Sequence, residues 1–242
     1  MRVAQLWRYP VKSMQGESLP SAEVDERGLV GDRRWAILDL ATGNGLTARR
    51  EPHLLLATGC WHDDGSVSIR LPDGHETADD AALSGWLGRD VALRDAADME
   101  RPPVYESPTD AGDESAPWAV WRGPMGTFHD SSRTQVSLCS ATTIAQFAPL
   151  DEVRRFRFNV VLDGAGEDDL LGQTITLGGL TLDVTKQIDR CVMVTRPQPD
   201  GIRRDLTVLK RINAERASLL GIGALVRSPG PLAIGDQLAP SG

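Results

Sequence analysis

The 242-residue chain is poor in cysteine, histidine and aromatic side chains, with three Cys, four His and 5 % Phe, Trp and Tyr. Cys60, Cys139 and Cys191 are too few and too scattered for a disulfide framework, and no Cys-x-x-Cys with paired histidines builds a structural zinc site. His53, His62, His75 and His129 stand singly, without metal-ligand spacing. No run of about 18 apolar residues offers a membrane span, and MRVAQLWRYPVKS at the N-terminus lacks the apolar centre of a secretory leader. The expectation is a cytoplasmic protein.

Basic charge is also in the minority, 26 Lys and Arg against 34 Asp and Glu, a net charge of −8. Such a balance favours solubility and opposes wrapping a polyphosphate, so no nucleic-acid partner is expected. Most of the acidic excess lies before Gly112, and a small anionic ligand is better held by the second half.

Common catalytic signatures are missing. Lys12-Ser13 resembles the end of a phosphate-binding loop, but Tyr9-Pro10-Val11 stands where glycines are needed. Gly221-Ile222-Gly223 lacks the third glycine of a dinucleotide fingerprint, and no G-x-S-x-G or H-E-x-x-H occurs. The acidic run Glu167-Asp168-Asp169 lacks the alternating ligands of a calcium loop.

What is present is a series of short apolar stretches punctuated by Gly, Pro, Asn and Asp, which predicts a mainly β (α+β) protein. Strands are expected at residues 2–9, 34–40, 66–71, 91–94, 135–139, 156–162, 174–177, 180–185 and 191–195, and a turn plus strand at 229–238. Asn44-Gly45 and Gly178-Gly179 signal tight hairpins. Helices are expected at 79–87, behind an Asp-rich start, and at 141–147 and 206–217. Residues 101–117, rich in Pro, Asp, Glu, Ser and Gly, read as a linker or loop, with a domain boundary near its end.

In this acidic chain, cationic groups recur at the expected strand ends and turns: Lys12 beside Ser13, Arg33 with Arg34, the 154–159 run with Arg157 and Asn159, and Arg190 beside Cys191. Guanidinium forks match phosphate oxygens and stack on flat rings, so a flat anionic cofactor suits them. Each residue also has a plain reading as a solvated strand edge or, for Asp130, Ser131 and Asn159, as a turn or cap. An adjacent Arg190 favours the Cys191 thiolate, a nucleophile and soft metal ligand; the plain alternative is a small buried strand residue.

Five segments, in order, resemble the MOSC-domain proteins with an N-terminal MOSC β-barrel domain, among them the mitochondrial amidoxime-reducing components and their bacterial relatives. They are Tyr9-Pro10-Val11-Lys12-Ser13, Asp32-Arg33-Arg34-Trp35, residues 46–52, Phe156-Arg157-Phe158-Asn159-Val160-Val161 and Asp189-Arg190-Cys191. The resemblance implies an N-terminal β-barrel-like domain over residues 1–115 and a β-barrel MOSC domain with a few short helices over 116–242. It implies a molybdenum cofactor, a molybdenum–pterin, held between them, with Cys191 as metal ligand. Lys12, Ser13, Arg33, Arg157, Asn159 and Arg190 would bind the pterin and its phosphate, and Asp130 and Ser131 a polar pair near the metal, with Asp130 a candidate for proton handling. Phe158 stands where relatives usually have proline, and Asp189 where the animal enzymes have serine.

The implied activity is reduction of small N-hydroxylated substrates, with electrons from a separate flavin, haem or iron–sulfur protein. A rival reading is a carrier of cofactor or of persulfide sulfur, which would share the same binding residues.

Overall fold

A computed structural model describes residues 1–110 and 115–240. Its largest element is an eight-stranded sheet in the order 238–240, 174–177, 180–189, 219–228, 136–140, 160–162, 3–8 and 17–18. Every pairing is antiparallel except the parallel pair of Val136–Ser140 with Val160–Leu162. Three register shifts between Leu180–Asp189 and Leu219–Ser228 bend these two longest strands, and the sheet curls into a half-barrel. Its inner face is filled by Val3, Leu6, Leu138, Val160, Leu182 and Ile222 among others. Full burial of each such side chain stabilises by roughly 1.5–3 kcal/mol.

The first strand, Val3–Arg8, completes this sheet although it lies at the far end of the sequence, and Gly230–Ala233 crosses back to pair with Ser21–Asp25. The two parts of the chain are thus stitched together by backbone hydrogen bonds. The first part has its own core, around Val11, Met14, Ile37, Leu54, Ile69 and Leu83. Over it lie the Trp35–Asp39/Val91–Asp95 pair and the sheet of Thr58–Trp61, Val67–Arg70 and Glu76–Thr77.

The α-helices among the described residues, Asp80–Leu87, Ala141–Ala145 and Leu206–Arg216, start where capping chemistry places them. Asp79 accepts from Ala82 N–H, Ser140 from Thr143 N–H and Asp205 from Thr207 N–H. Among the described residues no helix is long and apolar enough to cross a membrane.

Several local expectations are corrected. Within the expected linker, Val104–Pro108 pairs with Trp118–Arg122 as an antiparallel ribbon whose Tyr105 is fully buried, while the part of that expectation at 111–114 lies outside the described residues. The Asn44-Gly45 signal lies beyond the turn, because the Asp39 carboxylate accepts from Ala41 and Thr42 N–H and makes the reversal first. Gly45 is needed for another reason, since a Cβ there would lie 2.3 Å from the Tyr105 ring. Residues 156–159 are not strand: Phe156 ends a 3-10 turn and Arg157 to Asn159 lie in an irregular connection, and 192–195 form a 3-10 turn after Cys191. The 229–238 segment divides into Gly230–Ala233 and the start of Leu238–Pro240, which join different sheets. The ten-residue strand Leu219–Ser228 was not anticipated.

Candidate active site

All nine residues singled out from the sequence, Lys12, Ser13, Arg33, Asp130, Ser131, Arg157, Asn159, Arg190 and Cys191, line one cavity of about 480 Å³. They reach it from turns and strand ends of both parts of the chain, where backbone direction changes and side chains converge. Ser13, Arg33 and Arg157 adopt left-handed backbone, with φ of 68°, 49° and 56°. Non-glycine residues are held there at a cost of order 1–3 kcal/mol each, only where the surroundings over-determine them.

Lys12 is buried, and its Nζ donates to the Phe128 carbonyl at 2.8 Å and to Asp130 Oδ1 at 2.5 Å. It also lies 4.4 Å from the Tyr105 ring centre and 5.7 Å from that of Trp121. Burial lowers the ammonium pKa, and Asp130 opposes the shift. Burial in turn pushes the Asp130 carboxyl up, but Lys12 and Arg49 hold it well below the ordinary carboxylate range. With the Asp130 side chain 73 % exposed, solvent screens part of that pull.

A second group gathers on the buried Tyr9. The guanidinium of Arg33 lies 5.2 Å and that of Arg157 4.4 Å from its ring centre. Arg33 pairs with Asp32 and donates to the Arg157 carbonyl at 3.0 Å; Arg157 donates to the Met14 carbonyl. Burial and the neighbouring Arg33 push the Arg157 pKa down to about 10, so it stays charged at neutral pH. Beneath them Asn159 Oδ1 accepts from Ser137 N–H at 3.1 Å and from the Ser137 hydroxyl at 2.8 Å, while Nδ2 donates to the Trp7 carbonyl at 3.3 Å. Asn159 therefore ties the strands Val3–Arg8 and Val136–Ser140 together as well as lining the cavity.

Arg190 is similarly committed. It donates to the Leu220 carbonyl through Nε and Nη2, at 3.1 and 3.0 Å, and to the Phe156 carbonyl at 2.8 Å, with its guanidinium 4.2 Å from the Phe158 ring centre. Cys191 is half-buried and its side chain makes no capping bond to the 3-10 turn that follows. Arg49, from the first part of the chain, lies beside it: burial lowers the Arg49 pKa, and the nearby Cys191 and Asp130 raise it. Cys139, by contrast, is sealed in the core against the Glu167 carboxylate at 3.3 Å, and burial and that carboxylate push its thiol up. Cys60 is half-buried and lies outside the cavity. Among the described residues no three His, Cys, Asp or Glu side chains cluster as a metal cage.

The structure adds residues that sequence reasoning missed. Thr47 Oγ1, Arg49 Nε, Trp121 Nε1 and His129 Nε2 are buried atoms of cavity-lining side chains that find no hydrogen-bond partner among the described residues. Buried polar groups are nearly always satisfied, so such a concentration in one cavity marks a place for a polar ligand. Arg49 lies in the 46–52 motif, so the signal for it was at hand; Trp121 and His129 carried none. Arg155, also on the cavity wall, is fixed by donation to the carbonyls of Val194, Arg196 and Arg203 and holds the segment after Cys191 in place.

His129 gives a pH prediction. Burial, then Arg33, hold its pKa down to about 4, so between about pH 6.5 and 4 the unfolded chain binds a proton that the folded chain does not. Stability is therefore lost as pH falls through that window, by up to about 3 kcal/mol from this group. Urea unfolding at pH 7 and pH 4.5 should show a smaller acid penalty for His129→Gln than for the wild type; equal penalties would place the effect elsewhere.

The chain is similar to several known proteins. The amidoxime-reducing component 2 of Bos taurus mitochondria is 25 % identical over 285 residues, covering 98 % of this chain and 82 % of its own. The molybdenum cofactor sulfurase of Drosophila grimshawi is 25 % identical over 249 residues and covers 88 % of this chain, which spans only 30 % of that protein. Among solved structures, the YUAD protein from Bacillus subtilis aligns over 98 % of this chain and 93 % of its own with a TM-score of 0.45 and 13 % identity. Residues 1–119 match the MOSC N-terminal beta barrel domain and residues 125–239 the MOSC domain, so the chain belongs to the family of proteins that join these two domains.

Proposed function

We propose that the protein is a molybdenum-cofactor-dependent oxidoreductase that reduces N-hydroxylated compounds such as amidoximes and hydroxylamines. The observation that carries this reading is the cavity itself: a half-buried thiol among cationic groups from both parts of the chain, with buried donors left unpaired. That donor set fits an anionic, flat, polar group bonded to a soft metal.

In this reading Cys191 is the metal ligand, and Lys12, Ser13, Arg33, Arg157, Asn159 and Arg190 bind the pterin and its phosphate. Arg33 and Arg157 neutralise the phosphate, while Arg190 and Asn159, with most of their hydrogen bonds spent on the fold, chiefly fix the wall on which it rests. Removing oxygen from an N–OH group takes two electrons and two protons and releases water; a bound molybdenum–pterin supplies the two-electron couple. Asp130, kept ionised by Lys12 and Arg49, is an acceptor that orients water or substrate with Ser131; it is a poor acid at neutral pH. The electrons come from a separate flavin, haem or iron–sulfur protein.

The test is protein purified from a host that makes the cofactor. It should contain about one molybdenum per chain, release a fluorescent oxidised pterin, and reduce hydroxylamine or an amidoxime with a reduced viologen dye. Loaded protein that reduces no N-hydroxylated compound would point to the carrier reading instead. Lys12→Ala and Arg157→Ala should each weaken cofactor retention about tenfold or more, the worth of one charge-assisted contact, while cooperative melting persists. Loss of cooperative melting in both would assign them to the fold.

A further inference from the structure

The 104–122 ribbon is absorbed by none of the roles above, yet one of its faces belongs to the cavity. In the antiparallel register Tyr105 opposes Trp121 and Ser107 opposes Ala119, and opposed residues share a face. Trp121, Ser107 and Ala119 all line the cavity, joined by Thr109 one step further along. The inward face is thus graded. At its base two rings pack with centres 4.6 Å apart and planes tilted by 33° beside Lys12, and above them come two small side chains. On the other side of the ribbon Glu106, Val120 and Arg122 alternate outward and are not among the cavity residues, and only Pro108, at the far end, reaches the cavity from that set.

Two features of this face point to a ligand. The Trp121 indole N–H is a buried donor without a partner among the described residues, and indole N–H groups normally find one when buried. The Ser107–Ala119 pair leaves room directly along the ribbon from an aromatic base, where larger strand-forming residues would have filled it. The cationic groups that suit a phosphate, Arg33 and Arg157, gather instead on a different ring, Tyr9.

We propose that the inward face of the 104–122 ribbon is the substrate-recognition wall. Trp121 packs a flat aryl group and donates its N–H to a substrate acceptor atom, and Ser107 and Ala119 provide the gap the aryl group enters. This inference rests on the proposed reduction of N-hydroxylated compounds for its substrate class, which it narrows to aryl amidoximes and aryl hydroxylamines.

The test compares benzamidoxime with acetamidoxime and hydroxylamine, using cofactor-loaded wild type, Ala119→Leu, Trp121→Leu and Trp121→Phe. Binding is read by calorimetry on the full-length protein, and KM and kcat separately by viologen-coupled reduction. Wild type should bind benzamidoxime at least about tenfold more tightly than acetamidoxime, the scale of one stacked ring with its hydrogen bond. Ala119→Leu, on an exposed position where folding is little affected, should cut the benzamidoxime-to-hydroxylamine ratio of kcat/KM by about tenfold through KM. Trp121→Leu should abolish the aryl preference, and Trp121→Phe should keep the stacking while weakening benzamidoxime.

Equal selectivity in wild type and Ala119→Leu, with equal calorimetric affinities in wild type and Trp121→Leu, would overturn the wall. So would a fall in molybdenum and pterin content in both Leu variants, because the ribbon would then hold the cofactor. Wild-type protein that binds benzamidoxime through Trp121 without reducing it would uphold the wall and overturn only the reductase reading.

Discussion

Cys191→Ala should purify folded, with its molybdenum content reduced by more than about 100-fold and reductase turnover lost with it. Removing even an indirect partner of a metal ligand typically costs 10–100-fold in affinity, so losing the proposed soft ligand itself would cost more. Stability should change by no more than about 0.5 kcal/mol, because the thiol is half-buried and makes no capping bond. Cys191→Ser, which offers a harder oxygen in the same place, should bind more weakly than wild type and differ from it in the visible absorption of the loaded protein. Stoichiometric molybdenum in Cys191→Ala, measured by elemental analysis, would remove the sulfur from the site. Cys139→Ala is the control: that thiol is sealed against Glu167 and its loss should leave molybdenum content alone while lowering stability.

Gly221→Ala should lower stability by about 3 kcal/mol or more, a melting-temperature drop of roughly 6–12 °C for a chain this long. Gly221 has φ of +75°, and a Cβ there would sit 2.4 Å from Phe158 Cε1 and 2.7 Å from the Leu138 carbonyl oxygen. Both neighbours are buried and neither is the free end of a flexible side chain. Phe158 is also the ring under the Arg190 guanidinium, and Leu220, next to Gly221, supplies the carbonyl that Arg190 grips. The substitution should therefore lower cofactor content along with the melting temperature. Gly172→Ala isolates the backbone contribution, since its φ is +79° and nothing lies within 4 Å of the added Cβ. Its cost should be about 1–2 kcal/mol, and similar melting of the two variants would refute the close-packing argument.

The strand Leu219–Ser228 shows why part of the fold was illegible. Leu220 through Ala224 are all buried, so no alternation of apolar and polar residues marks the strand, and its glycines are poor strand formers. Gly223 is explained only by Thr134, whose Oγ1 would lie 2.3 Å from an added Cβ. The 104–122 ribbon failed for the opposite reason. Its composition looks like a linker, and Tyr105 and Trp121 find each other only once the two strands are paired.

The candidate site was more legible than the fold around it. Lys12, Arg33, Arg157 and Cys191 stood out because cations and one thiol at turns are unusual in an acidic chain poor in both. Five short motifs in order then supplied the family expectation, which the matches over residues 1–119 and 125–239 bear out.

The family resemblance implied which residues would meet; by itself the sequence determined a mainly β protein and the helix starts at Asp79, Ser140 and Asp205. These follow from short-range causes: side-chain periodicity and capping oxygens. Only the tertiary structure decided that Arg49, from the first part of the chain, comes beside Cys191, that Asn159 ties strands together, and that Trp121 stands over Lys12. Neighbours in sequence on an extended chain point to opposite sides, so adjacency to a cysteine does not fix which guanidinium reaches it. That choice is made by residues more than a hundred positions apart, brought together when the first strand closes the half-barrel of the last.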